Sequence, residues 1–147
     1  MYKNILVAYD GSDHAAKACE VAQEIAAKFG AALHLLHIVT HEHAPSAIEQ
    51  FAKSEHVDNP DRIEVEAAGA QLLDPMVRAA QDAGVADVRT DVARGDPTEQ
   101  ILDYTRNSDV DMIVMGRRGV GRVEGLLVGS VSSKVSTLAD CAVLTVK

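Results

Sequence analysis

The feature that most constrains the fold of this chain is a regular alternation of short apolar runs with longer segments of helical periodicity. Continuous apolar runs such as residues 4–9 are typical of strands buried on both faces of a sheet. The predicted strands are 4–9, 33–39, 87–93, 111–115 and 142–146. Because strands separated by helices form parallel sheets covered on both faces, the sequence predicts an α/β fold with a five-stranded, doubly wound parallel sheet.

Four helices are predicted between these strands, over residues 13–29, 60–83, 97–107 and 130–138. Their ends carry capping residues: Ser12 and Asp96 precede helices, and Gly30 follows one. Pro75 falls inside the second helix, where we expect a kink. The first apolar stripe is predicted to contain Ala15, Ala18, Ala22, Ile25 and Phe29, and the second Val65, Ala68, Leu72, Leu73, Met76 and Ala80. Residues 41–59 have no clean period and indicate a long loop with a short helix over 46–53.

Size and charge exclude several classes of function. The 147 residues suit a single domain spanning 1–147. With 14 basic and 22 acidic residues the net charge is −8, and only 3% of residues are aromatic, so nucleic-acid binding is disfavoured. Two cysteines match neither a disulfide scaffold nor a zinc spacing. The opening apolar run is too short for a signal peptide or membrane span, so we expect a cytoplasmic protein without membrane insertion.

The segment from 116 to 133 carries the most chemical information. Five glycines occur between positions 116 and 129, directly after a predicted buried strand and before a predicted helix. Glycine allows backbone amides to approach an anion, and a helix N-terminus adds unpaired N–H groups. Arg117, Arg118 and Arg122 add positive charge to an otherwise acidic chain. The segment therefore predicts a phosphate cradle, against the alternative of a solvated surface loop.

Common phosphate motifs do not fit this segment. A Walker A pattern starting at Gly116 would need Lys and Ser or Thr after its second glycine, where Arg122 and Val123 stand. A Rossmann pattern starting at Gly119 would need a third glycine where Glu124 stands. The spacing G-x2-G-x9-G-S, from Gly116 through Gly119 to Gly129, is complete.

This spacing resembles the ATP-binding branch of the universal stress protein family, and the resemblance covers essentially the whole chain. It includes the opening strand with Asp10-Gly11-Ser12, the strand ending at Ile38 and Val39, and the terminal strand. The family fold, which is Rossmann-like and similar to the adenine nucleotide alpha hydrolases, implies the strand order 3-2-1-4-5.

The resemblance also implies a site for ATP with Mg²⁺ or Mn²⁺, in which the ion is held mainly by the phosphates. Asp10 matches a ribose and adenine contact, Ala8 lines the same pocket, and Ile38 matches the backbone position that recognises adenine. Arg117 and Arg118 occupy variable positions of the motif, and their phosphate contact is inferred from charge. The remaining site residues at the loop and helix start are Met115, Gly116, Gly119, Gly129, Ser130, Val131 and Ser132.

Three functions remain open: a nucleotide-dependent regulator, a slow ATPase or phosphotransferase, and a structural stress protein that nucleotide only stabilises. The resemblance favours the regulator, acting in stress response as a homodimer or higher oligomer that pairs through its terminal strand from Val143 to Val146. An unidentified protein partner, with a membrane transporter as one candidate, belongs to this expectation. No P-loop lysine or general base accompanies the glycines, so we expect slow or absent hydrolysis.

Histidines give a weaker signal. His34 and His37 stand three residues apart in one predicted strand, which puts them on opposite faces of the sheet and argues against a shared metal. His41 and His43 lack a third ligand at a suitable spacing, so solvation is the favoured interpretation.

Overall fold

The computed structural model describes residues 1–40, 60–119 and 129–147, in which strands and helices alternate along the chain. The strands are β1 (Asn4–Ala8), β2 (Ala32–Val39), β3 (Val88–Arg94), β4 (Met112–Gly116) and β5 (Ala142–Val146). The helices are α1 (Asp13–Phe29), α2 (Pro60–Asp82), α3 (Pro97–Asn107) and α4 (Ser130–Leu138). The short helix predicted over 46–53, like His41 and His43, lies outside the described residues.

The five strands form one parallel sheet in the order β3-β2-β1-β4-β5, which confirms the predicted fold class and strand order. Val7 of β1 stands between Leu35 of β2 and Val114 of β4. The chain therefore winds outward from β1 in one direction and returns to add β4 on its other side. Doubly wound sheets bind ligands at such a reversal, outside the carboxyl ends of the strands.

Alternate residues of the central strands serve two separate hydrophobic cores. Ile5 and Val7 face the core beneath α1 and α2, whereas Leu6 faces the core that contains Ile101 of α3 and Val135 of α4. A buried parallel sheet needs apolar residues on both faces, which explains the continuous apolar runs in the sequence. None of the helices in the described ranges is long and apolar enough to cross a membrane.

Helix α1 has the predicted bounds and caps. The hydroxyl of Ser12 accepts a hydrogen bond from Ala15 N at 3.2 Å, and Gly30 closes the helix in the left-handed conformation at φ +65°. The predicted burial of Phe29 is wrong, because its side chain is 48% exposed and packs edge-on against Tyr2. The buried row of α1 ends instead with Ala26.

Helix α2 continues through Pro75, and a bend there remains a prediction. The predicted burial of Ala68 is wrong: Ala68 is exposed and Gly69 is buried instead. A Cβ atom at Gly69 would lie 2.7 Å from Val92 Cγ2 and 3.4 Å from His37 Cδ2. Position 69 is therefore the point where α2 approaches the sheet too closely for a larger residue.

Candidate functional site

A cavity of about 540 Å³ opens at the carboxyl ends of β1, β2 and β4. Its volume lies within the range of roughly 300–1,000 Å³ that is usual for small-molecule sites. All twelve residues that the sequence assigns to a site line this cavity: Ala8, Asp10, Ile38, Met115, Gly116, Arg117, Arg118, Gly119, Gly129, Ser130, Val131 and Ser132. The carboxyl ends of three strands and the start of α4 therefore meet where the winding of the sheet reverses.

Asp10 is an exposed residue of the cavity lining, two residues after β1 ends. Its Oδ1 accepts a hydrogen bond from Ser12 N at 2.9 Å, as a residue that organises a helix start would. On the other side, a Cβ atom at Gly119 would lie only 2.7 Å from Asp10 Oδ2. Glycine at position 119 therefore lets this carboxylate approach the loop that follows β4.

Two further glycines allow the end of β4 to meet two helix starts. A Cβ atom at Gly116 would lie 2.9 Å from the backbone nitrogen of Ala15 and from the carbonyl carbon of His14, both in α1. A Cβ atom at Gly129 would lie 3.0 Å from the carbonyl oxygen of Arg117. At Gly116 the distance is shorter than real Cβ contacts, so close approach requires glycine there, whereas at Gly129 the backbone of Arg117 would have to shift by a few tenths of an ångström.

The backbone N–H and C=O groups of Arg117 hold the start of the loop in place. Its N–H donates to Val146 O of β5 at 2.7 Å. Its carbonyl accepts from Gly129 N at 2.7 Å and from Ser132 Oγ at 2.8 Å. Ser132 is buried, and its hydroxyl lies within hydrogen-bonding distance of two carbonyl oxygens, Arg117 O at 2.8 Å and Gly129 O at 3.1 Å, so the side chain links the loop to the start of α4.

The start of α4 presents backbone donors to the cavity. Ser130, Val131 and Ser132 form its first turn, where N–H groups have no acceptor within the helix. The N-cap residue is Gly129, in extended conformation and without a side chain that could cap these groups. The helix dipole adds partial positive charge at this end, so the turn is suited to an anion.

Among the described residues, the charged side chains that line the cavity are Arg117, Arg118 and Asp10. The Nε atoms of both arginines are buried, and no hydrogen-bond partner for them exists among the described residues. In the described part of the wall, two guanidinium groups outweigh one carboxylate, on a chain whose net charge is −8. A phosphate group would suit two arginines that line a cavity, because guanidinium groups form charge-assisted hydrogen bonds with phosphate oxygens.

Part of the cavity lining did not emerge from the sequence. Ile101 and Pro97 of α3 and Leu36 of β2 add an apolar wall. His37 also lines the cavity, and its Nδ1–H donates to Tyr9 O at 2.8 Å. Only their position in the chain could have identified these residues, because each lies close to the carboxyl end of a strand or in the first turns of a helix that follows one.

The two strand histidines lie on opposite faces of the sheet, as predicted. His34 is buried, with Nδ1 2.9 Å from the Tyr104 hydroxyl and Nε2 3.4 Å from Asn4 Oδ1. Burial lowers the pKa of His34, and the nearby charge of Arg89 acts in the same direction. Within the described ranges, no group of three His, Cys, Asp or Glu residues could hold a metal ion.

Two curated relatives match the chain over its full length. YxiE of Bacillus subtilis (strain 168), which is named a universal stress protein, is 36% identical over 152 residues, covering 100% of both chains. A Thermus aquaticus protein, named as the universal stress protein in the QAH/OAS sulfhydrylase 3' region, is 38% identical over 148 residues, again with 100% of both chains covered.

Solved structures share the fold. UspA from Lactobacillus plantarum has a TM-score of 0.77 and 30% identity, with 99% of this chain and 98% of that one covered. A universal stress protein in complex with cAMP has a TM-score of 0.72 and 23% identity, covering 99% and 96%. One from Archaeoglobus fulgidus in complex with dAMP has a TM-score of 0.66 and 22% identity, covering 99% and 98%. The model of the universal stress protein family matches residues 1–147, and the chain belongs to that family.

Proposed function

We propose that this protein binds ATP and acts as a nucleotide-dependent regulator in stress response. The observation that carries the proposal is the cavity at the sheet reversal, where the side chains of Arg117 and Arg118 lie beside a helix start that has no side-chain cap. Two proteins of the same fold are bound to adenine nucleotides, cAMP in one and dAMP in the other, which supports a ligand of this class.

The chemistry of the lining matches the parts of such a nucleotide. Ala8 and Ile38 stand beside an apolar wall that suits adenine, and the Asp10 carboxylate can accept hydrogen bonds from ribose hydroxyls. Gly119 and the first turn of α4 would receive the phosphates. Mg²⁺ or Mn²⁺ would be held mainly by phosphate oxygens and would neutralise part of their charge.

Binding, rather than catalysis, fits the charged groups of this cavity. Asp10 is the carboxylate among the described lining residues, and its Oδ1 already accepts from Ser12 N. Phosphoryl transfer needs a placed nucleophile or base as well as charge neutralisation. We therefore expect slow or absent phosphate release from ATP, and turnover of 1 s⁻¹ or faster, on the order of a typical enzyme, would favour the ATPase alternative.

The direct test is mass spectrometry of nucleotide released from freshly purified protein, followed by calorimetry with ATP, ADP and AMP in the presence of Mg²⁺. Gly129→Ala should weaken ATP binding because the added methyl group presses on Arg117 O. Asp10→Ala should weaken it by removing a ribose contact. Asp103→Ala is the matched control, because this exposed carboxylate of α3 pairs only with Arg106 in the described part of the chain. Wild-type affinity in both site variants, or no nucleotide binding at all, would overturn the proposal.

The regulator would act as a homodimer or higher oligomer that pairs along β5. The two outer strands support this choice of edge: β3 carries Arg89 and Asp91, whereas Ala142–Val146 contains no charged residue. Charges discourage pairing between sheet edges, and an uncharged edge invites it. Thr145→Lys should therefore shift the protein towards monomer in light scattering, whereas Thr90→Lys on the β3 edge should not. Equal behaviour of both variants would contradict the use of β5.

A nucleotide that only stabilises the fold would raise the melting temperature without changing any association. The regulator proposal instead requires that a protein partner, with a membrane transporter as one candidate, binds the ATP-loaded and nucleotide-free forms differently. Comparing the stoichiometry and partner affinity of the two forms separates these functions.

A further inference from the structure

The backbone pairing between β1 and β2 ends just before the cavity. Its last hydrogen bond runs from Tyr9 N to Leu36 O at 2.9 Å, and the register of paired residues ends at Ala8 and Leu36. In a regular parallel ladder, the next bond would join the N–H of Ile38 to the carbonyl of Tyr9. In the part of the chain that the structure describes, the ladder ends one bond short of that step.

A side chain takes the place of this backbone donor. His37 Nδ1 lies 2.8 Å from Tyr9 O. A carbonyl oxygen only accepts hydrogen bonds, so Nδ1 carries the proton in this contact. Helix α2 passes close to the same ring, because a Cβ atom at Gly69 would lie 3.4 Å from His37 Cδ2. The imidazole is therefore held both by the end of β1 and by the close approach of α2.

This arrangement directs the backbone of Ile38 to the cavity. Alternate residues of β2 bond to opposite neighbours in the sheet. Leu36 O accepts from Tyr9 N on the β1 side, and Val39 O accepts from Gly95 N just beyond β3. Ile38 follows Leu36 by two residues, so its N–H and C=O groups point to the β1 side, where that strand has already ended. Because Ile38 lines the cavity, a ligand there can meet one backbone donor and one backbone acceptor.

We infer that His37 is a positioning residue for the base of the nucleotide. By holding Tyr9 O, its imidazole keeps the Ile38 N–H from continuing the ladder and leaves it for the ligand. A donor and an acceptor on one residue match adenine, whose N1 accepts a hydrogen bond and whose 6-amino group donates one. Hypoxanthine, the base of inosine, has the opposite pattern, with a donor at N1 and an oxygen at C6. This inference rests on the proposed nucleotide function, and it adds the residue that makes the site selective for a 6-aminopurine.

The test is calorimetry of ATP and of inosine triphosphate, each with Mg²⁺, against wild-type protein and three variants. Wild type should prefer ATP about fivefold, and His37→Leu should lose about fivefold in ATP affinity, as expected for one net hydrogen bond, and nothing in inosine triphosphate affinity. His37→Asn keeps an N–H close to the position of Nδ1 and should retain the preference for ATP. His34→Leu is the matched control, because this strand histidine contacts Tyr104 on the opposite face of the sheet and should not affect the preference.

Hydrogen exchange of the Ile38 amide is a second readout. In nucleotide-free His37→Leu, Tyr9 O has lost its donor, so the ladder should extend and the Ile38 amide should exchange more slowly than in wild type. In wild-type protein, addition of ATP should protect the same amide. A histidine that only stabilised the fold would change neither the exchange at Ile38 nor the ratio of the two affinities.

The outcomes separate this inference from the proposed function. Equal wild-type affinity for ATP and inosine triphosphate would overturn the role of His37 while leaving a nucleotide site in place. Equal losses of both nucleotides in His37→Leu, or a His37→Asn variant that behaves like His37→Leu, would also overturn it. Binding of neither nucleotide by wild-type protein would overturn both. If the variants fail to fold, exchange in wild-type protein decides, because an Ile38 amide that ATP does not protect contradicts the inference.

Discussion

Two turns at the same edge of the sheet connect a strand to a helix, and they treat their backbone donors in opposite ways. In the turn from β1 to α1, Asp10 Oδ1 accepts from Ser12 N and Ser12 Oγ accepts from Ala15 N. In the turn from β4 to α4, the N-cap is Gly129, which has no side chain to offer. The first turn satisfies donors from its own side chains, whereas the N-cap residue of the second offers no side-chain acceptor.

This difference shows that topology creates a place for a ligand but does not create the site. Both turns lie where the winding of the sheet reverses, and both precede a helix start with the same dipole. What differs is the local sequence: a capping serine in one turn, and glycine with two arginines in the other. Variants that exchange or damage these features test the comparison directly.

The largest effect is expected where the two turns touch. Gly116→Ala would place a methyl group 2.9 Å from backbone atoms of His14 and Ala15, which cannot move without shifting the start of α1. Overpacking of this kind costs about 1–3 kcal/mol in the free energy of unfolding. Urea denaturation measures it, and a variant as stable as wild type would show that the turns are not tightly joined.

The next largest effects are expected when the serines at the two turns, Ser12 and Ser132, are replaced by alanine. Ser12→Ala removes an N-cap and should cost about 1 kcal/mol of stability with unchanged ATP affinity. Ser132→Ala removes the hydrogen bond to Arg117 O, which should cost a similar amount. Because it loosens the loop, it should also lower ATP affinity about fivefold, the equivalent of about 1 kcal/mol. Calorimetry and denaturation of both variants check this, and a loss of ATP affinity in Ser12→Ala alone would reverse the comparison.

A finer test gives the turn before α4 a capping side chain like the one that precedes α1. Gly129→Ser and Gly129→Ala both add a Cβ atom against Arg117 O, so their difference isolates the hydroxyl group. The serine variant should be more stable than the alanine variant by about 0.5–1 kcal/mol, because serine can cap α4. It should also bind ATP more weakly, because the cap occupies a donor that the phosphate needs. Tighter ATP binding by the serine variant would mean that these donors do not face the ligand.

Much of this architecture could be predicted because the determining signals are local. The caps Ser12, Gly30 and Asp96 mark helix ends through contacts with residues at most four positions away. The buried strands follow from their continuous apolar runs. The errors at Phe29 and Ala68 have a different origin, because burial near a helix end and close helix-to-sheet packing depend on distances between elements. A hydrophobic pattern includes Ala68 and passes over Gly69, although the sheet leaves room only for the glycine.

The residues of the candidate site also differ in whether a local sequence pattern could predict them. Its glycine loop and helix start form one continuous segment, and the edge rule for parallel sheets brings Asp10 and Ile38 to the same place. Pro97 and Ile101 complete the wall from a helix that carries no motif of its own. Their position depends on the order of the strands in space, which a single local pattern does not contain.

The smallest effect is expected at His34, which lies away from both turns, so its variant is a control for the variants of the turns. Burial lowers the pKa of His34 below its ordinary value of 6.5, with Arg89 acting in the same direction and Asp87 against it. The unfolded chain therefore binds more protons than the folded protein as the pH falls, so His34 contributes stability above pH 6.5 that is lost below it. Subtracting the unfolding free energies of His34→Gln from those of wild type between pH 5 and 8 isolates this contribution.

We expect the difference to rise with pH up to about 6.5 with a slope below about 1.4 kcal/mol per pH unit, the limit for one proton, and then to level off. ATP affinity should be the same in both proteins, because His34 contacts Tyr104 and Asn4 and does not line the cavity. A change in ATP affinity would show that the region of the sheet around His34 is energetically coupled to the two turns. The contrast between the turn before α1 and the turn before α4 would then depend on the whole sheet rather than on local capping.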